Sequence, residues 1–269
     1  MNHSPEAPVG IFDSGIGGLT VAHAIRRRLP SESLIYFGDT AHLPYGDKSE
    51  AAIQAYSVKI ADVLLKKGCK VIVIACNSAS SAAYDLLKEY VRKDAQVINV
   101  IDPMVGLVAS RFSGKRVGLI GTRRTVHSGV YARKIASVDD SITLLSLATP
   151  LLAPMIEEGY FNNKISHDII ETYLRDPELQ NLDALILACT HYPLIKDDIS
   201  SFYNGKMEIL DSSEVVAEAL HRYLSDQKLL SSHAGRDTFL VSDYTDSFES
   251  STRLFFHQLV HLEKYPLWT

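Results

Sequence analysis

Short apolar runs rich in β-branched residues alternate with segments of helical periodicity from one end of the chain to the other. The runs are Val9–Asp13, Leu34–Asp39, Val71–Ala75, Val97–Ile101, Val117–Gly121, Ile142–Leu147, Ala184–Ala188, Met207–Leu210 and Thr238–Val241. They are continuous rather than alternating, the pattern of parallel strands buried on both faces. Between them, Ser49–Lys67 places Ile53, Tyr56, Ile60, Val63 and Leu64 on one helical face, with Ser49 as the expected cap and Gly68 as the stop. Val215–Leu224 repeats the pattern with Val216, Ala219, Leu220, Tyr223 and Leu224. The alternation predicts an α/β fold of mainly parallel sheets with helices on both faces.

A weak internal repeat refines this. Val9-Gly-Ile-Phe-Asp13 resembles Val117-Gly-Leu-Ile-Gly121, and Val71-Ile-Val-Ile-Ala-Cys76 resembles Ala184-Leu-Ile-Leu-Ala-Cys189. The interval from Asp13 to Cys76 is 63 residues and that from Gly121 to Cys189 is 68. Two matched pairs at nearly matched spacing predict two similar α/β halves, packed closely because no linker-like stretch separates them.

Composition narrows the function classes. With 269 residues, 46% of them hydrophobic and 22% charged, the chain can bury a large core without disulfide or metal staples. The longest apolar stretches, Val71–Cys76 and Ala184–Cys189, are far short of the ~20 residues a membrane span needs, so no membrane association is expected. Met1–Pro8 lacks the basic-then-apolar order of a signal peptide. A balance of 27 Lys+Arg against 32 Asp+Glu, with no cationic block beyond Arg26–Arg28, gives no nucleic-acid surface. Three cysteines without a CxxC spacing fit a reducing compartment and supply neither a disulfide framework nor a structural zinc site. The expectation is a cytoplasmic enzyme without a metal.

Both repeat copies end a buried strand in cysteine and then turn polar: Cys76-Asn-Ser-Ala-Ser80 and Cys189-Thr-His-Tyr-Pro193. Sites in open α/β sheets form beyond the carboxyl ends of strands, where the next helix begins. A cysteine there sits by a helix N-terminus, which is expected to favour its thiolate and lower its pKa. Asn77, Ser78, Thr190 and nearby backbone N–H groups offer donors to a carboxylate. Cys69 reads instead as a small buried hydrophobe. If the halves face each other, the two thiols approach one ligand from opposite sides. That arrangement suits a two-base proton transfer and inversion at a carbon stereocentre, with a disulfide switch as the competing use. Phe12-Asp-Ser-Gly-Ile-Gly-Gly18 fails the dinucleotide fingerprint because Thr20 stands where the last glycine would be. Its small residues still permit close approach to a small ligand, and Asp13 and Ser14 fall at the strand's carboxyl end. Gly38–Asp47 is a turn-rich loop of the kind that covers a site, where Tyr45-Gly46 either closes on a ligand or forms a plain surface turn. His191 is a candidate proton relay beside Cys189. Glu157 alone reads as part of a solvated helix face.

These motifs together resemble the bacterial glutamate racemases of the cofactor-independent aspartate/glutamate racemase superfamily. The segments that carry the resemblance are Gly10–Thr20, Phe37–Gly46, Ala75–Ser80, Pro150–Gly159 and Leu187–Pro193, in order across most of the chain. The resemblance implies two pseudo-symmetric domains, residues 1–100 with 211–269 and residues 101–210, with the active site at their interface. It implies Cys76 and Cys189 as the catalytic bases, with Asp13 assisting at Cys76 and His191 and Glu157 at Cys189. It places Asp13, Ser14, Tyr45, Gly46, Asn77, Ser78, Thr190 and His191 around L- or D-glutamate. It further implies no cofactor, a homodimer, and D-glutamate supplied to peptidoglycan synthesis. Ser78 departs from the usual threonine but keeps the hydroxyl. Members activated by a cell-wall nucleotide precursor carry a longer N-terminus, so such activation is not expected.

Two alternatives remain at this stage. An aspartate or hydantoin racemase would keep the fold and the thiols, although Cys189-Thr-His-Tyr-Pro is the glutamate-type sequence. A non-catalytic amino-acid-binding protein would need the polar turns but not two cysteines.

Overall fold

The computed structural model describes residues 4–268; residues 1–3 and 269, including the start of the Met1–Pro8 segment, lie outside the described residues. The first half alternates as expected: β1 (Val9–Asp13), α1 (Leu19–Arg28), β2 (Leu34–Gly38), α2 (Glu50–Lys66), β3 (Val71–Ile74), α3 (Asn77–Val91), β4 (Gln96–Asn99) and α4 (Ile101–Arg111). The second comprises β5 (Arg116–Gly121), α5 (Arg123–His127), α6 (Val130–Val138), β6 (Thr143–Ala148), α7 (Leu152–Glu157), α8 (Lys164–Leu174), β7 (Ala184–Ala188), α9 (Lys196–Phe202) and β8 (Glu208–Asp211). The chain then adds α10 (Ser212–Asp226), β9 (Thr238–Val241), α11 (Asp246–Phe256) and β10 (Glu263–Lys264).

Several predicted strands end early, for local reasons. Asn99 Oδ1 accepts the N–H groups of Ile101 and Asp102, both at 2.7 Å, so the predicted Val97–Ile101 strand turns into α4 after Asn99. Ser49 caps α2 as expected, its hydroxyl accepting the Ala52 N–H at 3.3 Å. The predicted Val215–Leu224 helix is longer at both ends, and it starts at Ser212 because Asp211 accepts the Ser213 N–H and caps it.

Two parallel sheets result, ordered β10-β9-β2-β1-β3-β4 and β6-β5-β7-β8. The run β2-β1-β3-β4 has the same order as β6-β5-β7-β8, so the internal repeat is an architectural one. In each copy the first strand lies between the second and the third, and the order reverses beside it. That reversal is where α/β sheets bind ligands. The sheet register sets Asp13 beside Gly38, and Gly121 beside Ala188. Alternate residues of β3 enter different cores: Val71 and Val73 pack on one face, Ile72 and Ile74 on the other. The first of these cores continues through Val117, Ile120 and Leu187 of the second sheet, so one apolar cluster joins the halves. No helix among the described residues is long and apolar enough to cross a membrane.

Candidate active site

A narrow cleft opens between the carboxyl ends of the two sheets. It is lined by Ser14, Pro44, Tyr45, Gly46, Cys76, Asn77, Ser78, Thr122, Ala153, Pro154, Glu157, Ala188, Cys189, Thr190 and His191. All the expected site residues thus lie along it except Asp13, which is fully buried directly behind Ser14.

Cys76 is the N-cap of α3, and its sulfur accepts the Ala79 N–H at 3.4 Å while lying 3.7 Å from Ser14 Oγ. The expected lowering of its pKa does not occur. Burial, reinforced by the Asp13 charge, pushes the Cys76 thiol up to about 12 against the help of the Ala79 N–H and the Ser14 hydroxyl. One helix terminus does not offset that loss of hydration. Cys69, also buried, is likewise pushed up to about 12 by desolvation.

Asp13 accepts the Gly15 N–H at 3.0 Å through Oδ2, but its Oδ1 has no hydrogen-bond partner. Burial raises its pKa, and His191 and the backbone donors only partly offset the effect. Around Cys189 the environment differs. Its sulfur lies 3.6 Å from His191 Nδ1, and His191 Nε2 lies 2.8 Å from Glu157 Oε1. The latter contact has ion-pair distance without hydrogen-bond alignment. Burial opposes charging the imidazole, yet Cys189 and Glu157 outweigh it and raise the His191 pKa well above the usual histidine value. Glu157, at the last turn of α7, is therefore no plain solvated residue: its side chain is 28% exposed and turned to His191.

The remaining wall is polar on one side. Asn77 Oδ1 accepts from the Tyr131 hydroxyl at 2.9 Å, leaving its Nδ2 buried without a partner. Ser78 Oγ is 2.9 Å from Thr122 Oγ1. Thr190 holds the halves together through its carbonyl, which accepts from Thr20 Oγ1 at 3.0 Å. Tyr45 lines the cleft while almost wholly buried, and its hydroxyl donates to Asp39 at 2.6 Å. Two glycines permit the approach of the halves. A Cβ on Gly17 would stand 2.4 Å from His191 Cε1, and one on Gly46 would stand 2.9 Å from Thr122 Cβ.

Sequence reasoning missed Pro44, Thr122, Ala153, Pro154 and Ala188. Thr122 was within reach: extending the Val9–Asp13 and Val117–Gly121 repeat by one residue aligns it with Ser14. Among the described residues, no group of three or more His, Cys, Asp or Glu is placed to hold a metal ion. Chemically, the cleft sets a thiol whose charging burial opposes, and a second thiol beside an imidazole that is easier to charge than usual, against a wall of donors.

The family model described as Asp/Glu/Hydantoin racemase matches residues 19–220. A glutamate racemase of Chlorobium phaeobacteroides is 40% identical over 254 residues, covering 94% of this chain and 93% of its own. A glutamate racemase of Thermus thermophilus is 41% identical, covering 91% of each. The crystal structure of glutamate racemase from Francisella tularensis in complex with D-glutamate superposes with a TM-score of 0.92 at 37% identity, covering 98% of both chains.

Proposed function

This chain belongs to the Asp/Glu/hydantoin racemase family, and from that premise we propose that it interconverts L- and D-glutamate by proton transfer between Cys76 and Cys189. The observation that carries the reading is the pair of cysteines just beyond equivalent strands of two like-ordered sheets, both lining one cleft. In the L-to-D direction the Cys189 thiolate, held beside the protonated His191, removes the α-proton. Cys76, whose high pKa keeps it a thiol, delivers its proton to the opposite face of the α-carbon. Cys189 ends protonated and Cys76 ends as thiolate, the state the D-to-L direction requires. Asp13 supports Cys76, and His191 with Glu157 supports Cys189. The developing negative charge meets preplaced donors rather than bulk water. We assign Ser14, Asn77, Ser78, Thr190 and Thr122 to the substrate's carboxylates, with the free Asn77 Nδ2 as the least committed donor. Tyr45 and Gly46 close the cleft from one side.

Within the same reading, residues 1–100 with 211–269 and residues 101–210 form the two domains, which the membership of the two sheets supports to within the last residue of β8. D-glutamate would then feed peptidoglycan synthesis. Thiol catalysis requires reduced cysteines, which supports a cytoplasmic location. A homodimer is proposed on the family resemblance. The test is incubation of purified protein with each glutamate enantiomer under circular dichroism. Decay of ellipticity to zero from both sides, with aspartate far slower, is expected. Unchanged ellipticity, or aspartate turning over comparably, would overturn the assignment.

A further inference from the structure

Asp39 follows directly on β2 and is fully buried, yet none of the steps above uses its carboxylate. Three donors converge on it. The Tyr45 hydroxyl donates to Oδ2 at 2.6 Å, the Ser242 hydroxyl donates to Oδ1 at 2.7 Å, and His42 Nδ1 lies 2.9 Å from Oδ1. Ser242 also accepts the Ala41 N–H at 2.9 Å, and the Asp39 N–H donates to the Asp13 carbonyl at 3.0 Å. The carboxylate thus ties the loop that carries Pro44, Tyr45 and Gly46 into the cleft to Ser242 at the end of β9, while the backbone N–H of the same residue anchors it to β1. The outer side of the same loop is packed rather than free. His42 stacks on Tyr56 at 4.3 Å, and Trp268 meets both rings edge-on at 4.9 and 5.3 Å.

A carboxylate that only filled space would leave the cleft indifferent to its charge. Here its shortest contact is to the hydroxyl of a residue that lines the cleft, so its charge and the wall's position are linked. We propose that Asp39 is a positioning residue for the racemase reaction: through the Tyr45 hydroxyl it fixes the Pro44–Gly46 wall against the substrate without touching the substrate itself. This inference rests on the reading under Proposed function.

The test is steady-state kinetics with D-glutamate on purified wild type, Asp39→Asn, Tyr45→Phe and the double variant, each checked by thermal unfolding. Tyr45→Phe removes only the hydroxyl, so it carries the test if Asp39→Asn does not fold. Each single change should raise KM about tenfold while kcat stays within about threefold, because the wall binds but does not react. The double variant, or Ser242→Ala with Tyr45→Phe if Asp39→Asn is lost, should do no worse than about the stronger single, because both changes break one linkage. Unchanged KM in the folded variants, a loss confined to kcat, or additive effects would overturn the inference. If wild type itself fails to racemise glutamate, the racemase reading falls and this inference with it. If wild type is active and the variants keep its KM, only the inference falls.

Discussion

At the residue scale, the chemistry turns on how two thiols in one cleft are made unequal. Cys76 has burial and the Asp13 charge against its thiolate, whereas Cys189 has the His191 ring and, through it, Glu157. The pair itself was legible in the sequence, because each cysteine ends a buried run and starts a polar turn. The direction of the Cys76 shift was not, because it comes from burial and from Asp13, 63 residues away in the chain. Neutral serine is a poor base, so Cys76→Ser and Cys189→Ser should each abolish racemisation in an enantiomer assay. Cys69→Ser, in the turn between α2 and β3 and absent from the cleft lining, should leave it nearly intact. Asp13 makes a second case. Its pKa is raised on folding by burial, so the folded state holds the proton more tightly than the unfolded one. Stability therefore falls as pH rises from the ordinary carboxylate range through the raised value, and the cost persists above it. Asp13→Asn should thus melt at or above the wild-type temperature at neutral pH, an advantage that disappears in strong acid, while turnover drops by about 10²–10⁴-fold. A variant that melts lower and keeps its specific activity would mark Asp13 as an ordinary structural cap.

At the element scale, the site is made by the turns that follow β1, β2, β3, β5 and β7, with α7 completing the wall. Periodicity exposed these strands and most of the helices because each buries a continuous or one-sided apolar pattern. It did not expose β10, a two-residue exposed edge with no apolar signature. The small residues after β1 read as room for a ligand's approach, but periodicity could not show that Gly17 also leaves room for the His191 ring of the other half of the molecule. Gly17→Ala should push that ring from Cys189 and Glu157 and lower kcat/KM by about 10²-fold, since displacements of about 1 Å are enough to do so. Far-ultraviolet circular dichroism should be unchanged, because Gly17 lies in neither sheet. Activity near wild type would show that the turn relaxes without moving His191.

At the scale of the whole molecule, the two like-ordered sheets share one apolar cluster that runs from Val9 and Val73 through Val117 and Leu187. Calorimetry should accordingly record a single unfolding transition; two separated transitions would mean that the halves fold independently. The internal repeat let two halves be read from sequence, but their facing could be stated only as a condition, because nothing local encodes it. That facing matters most for mechanism, since it sets one thiol on each side of the substrate's α-carbon. The most direct measurement is racemisation of each enantiomer in heavy water, with deuterium at the α-carbon followed at early times in both substrate and product. A donating thiol exchanged with solvent should put deuterium into the first product formed, while recovered substrate carries much less, in both directions. Equal early labelling of substrate and product would mean that a single base serves both faces, and would contradict the two-thiol account.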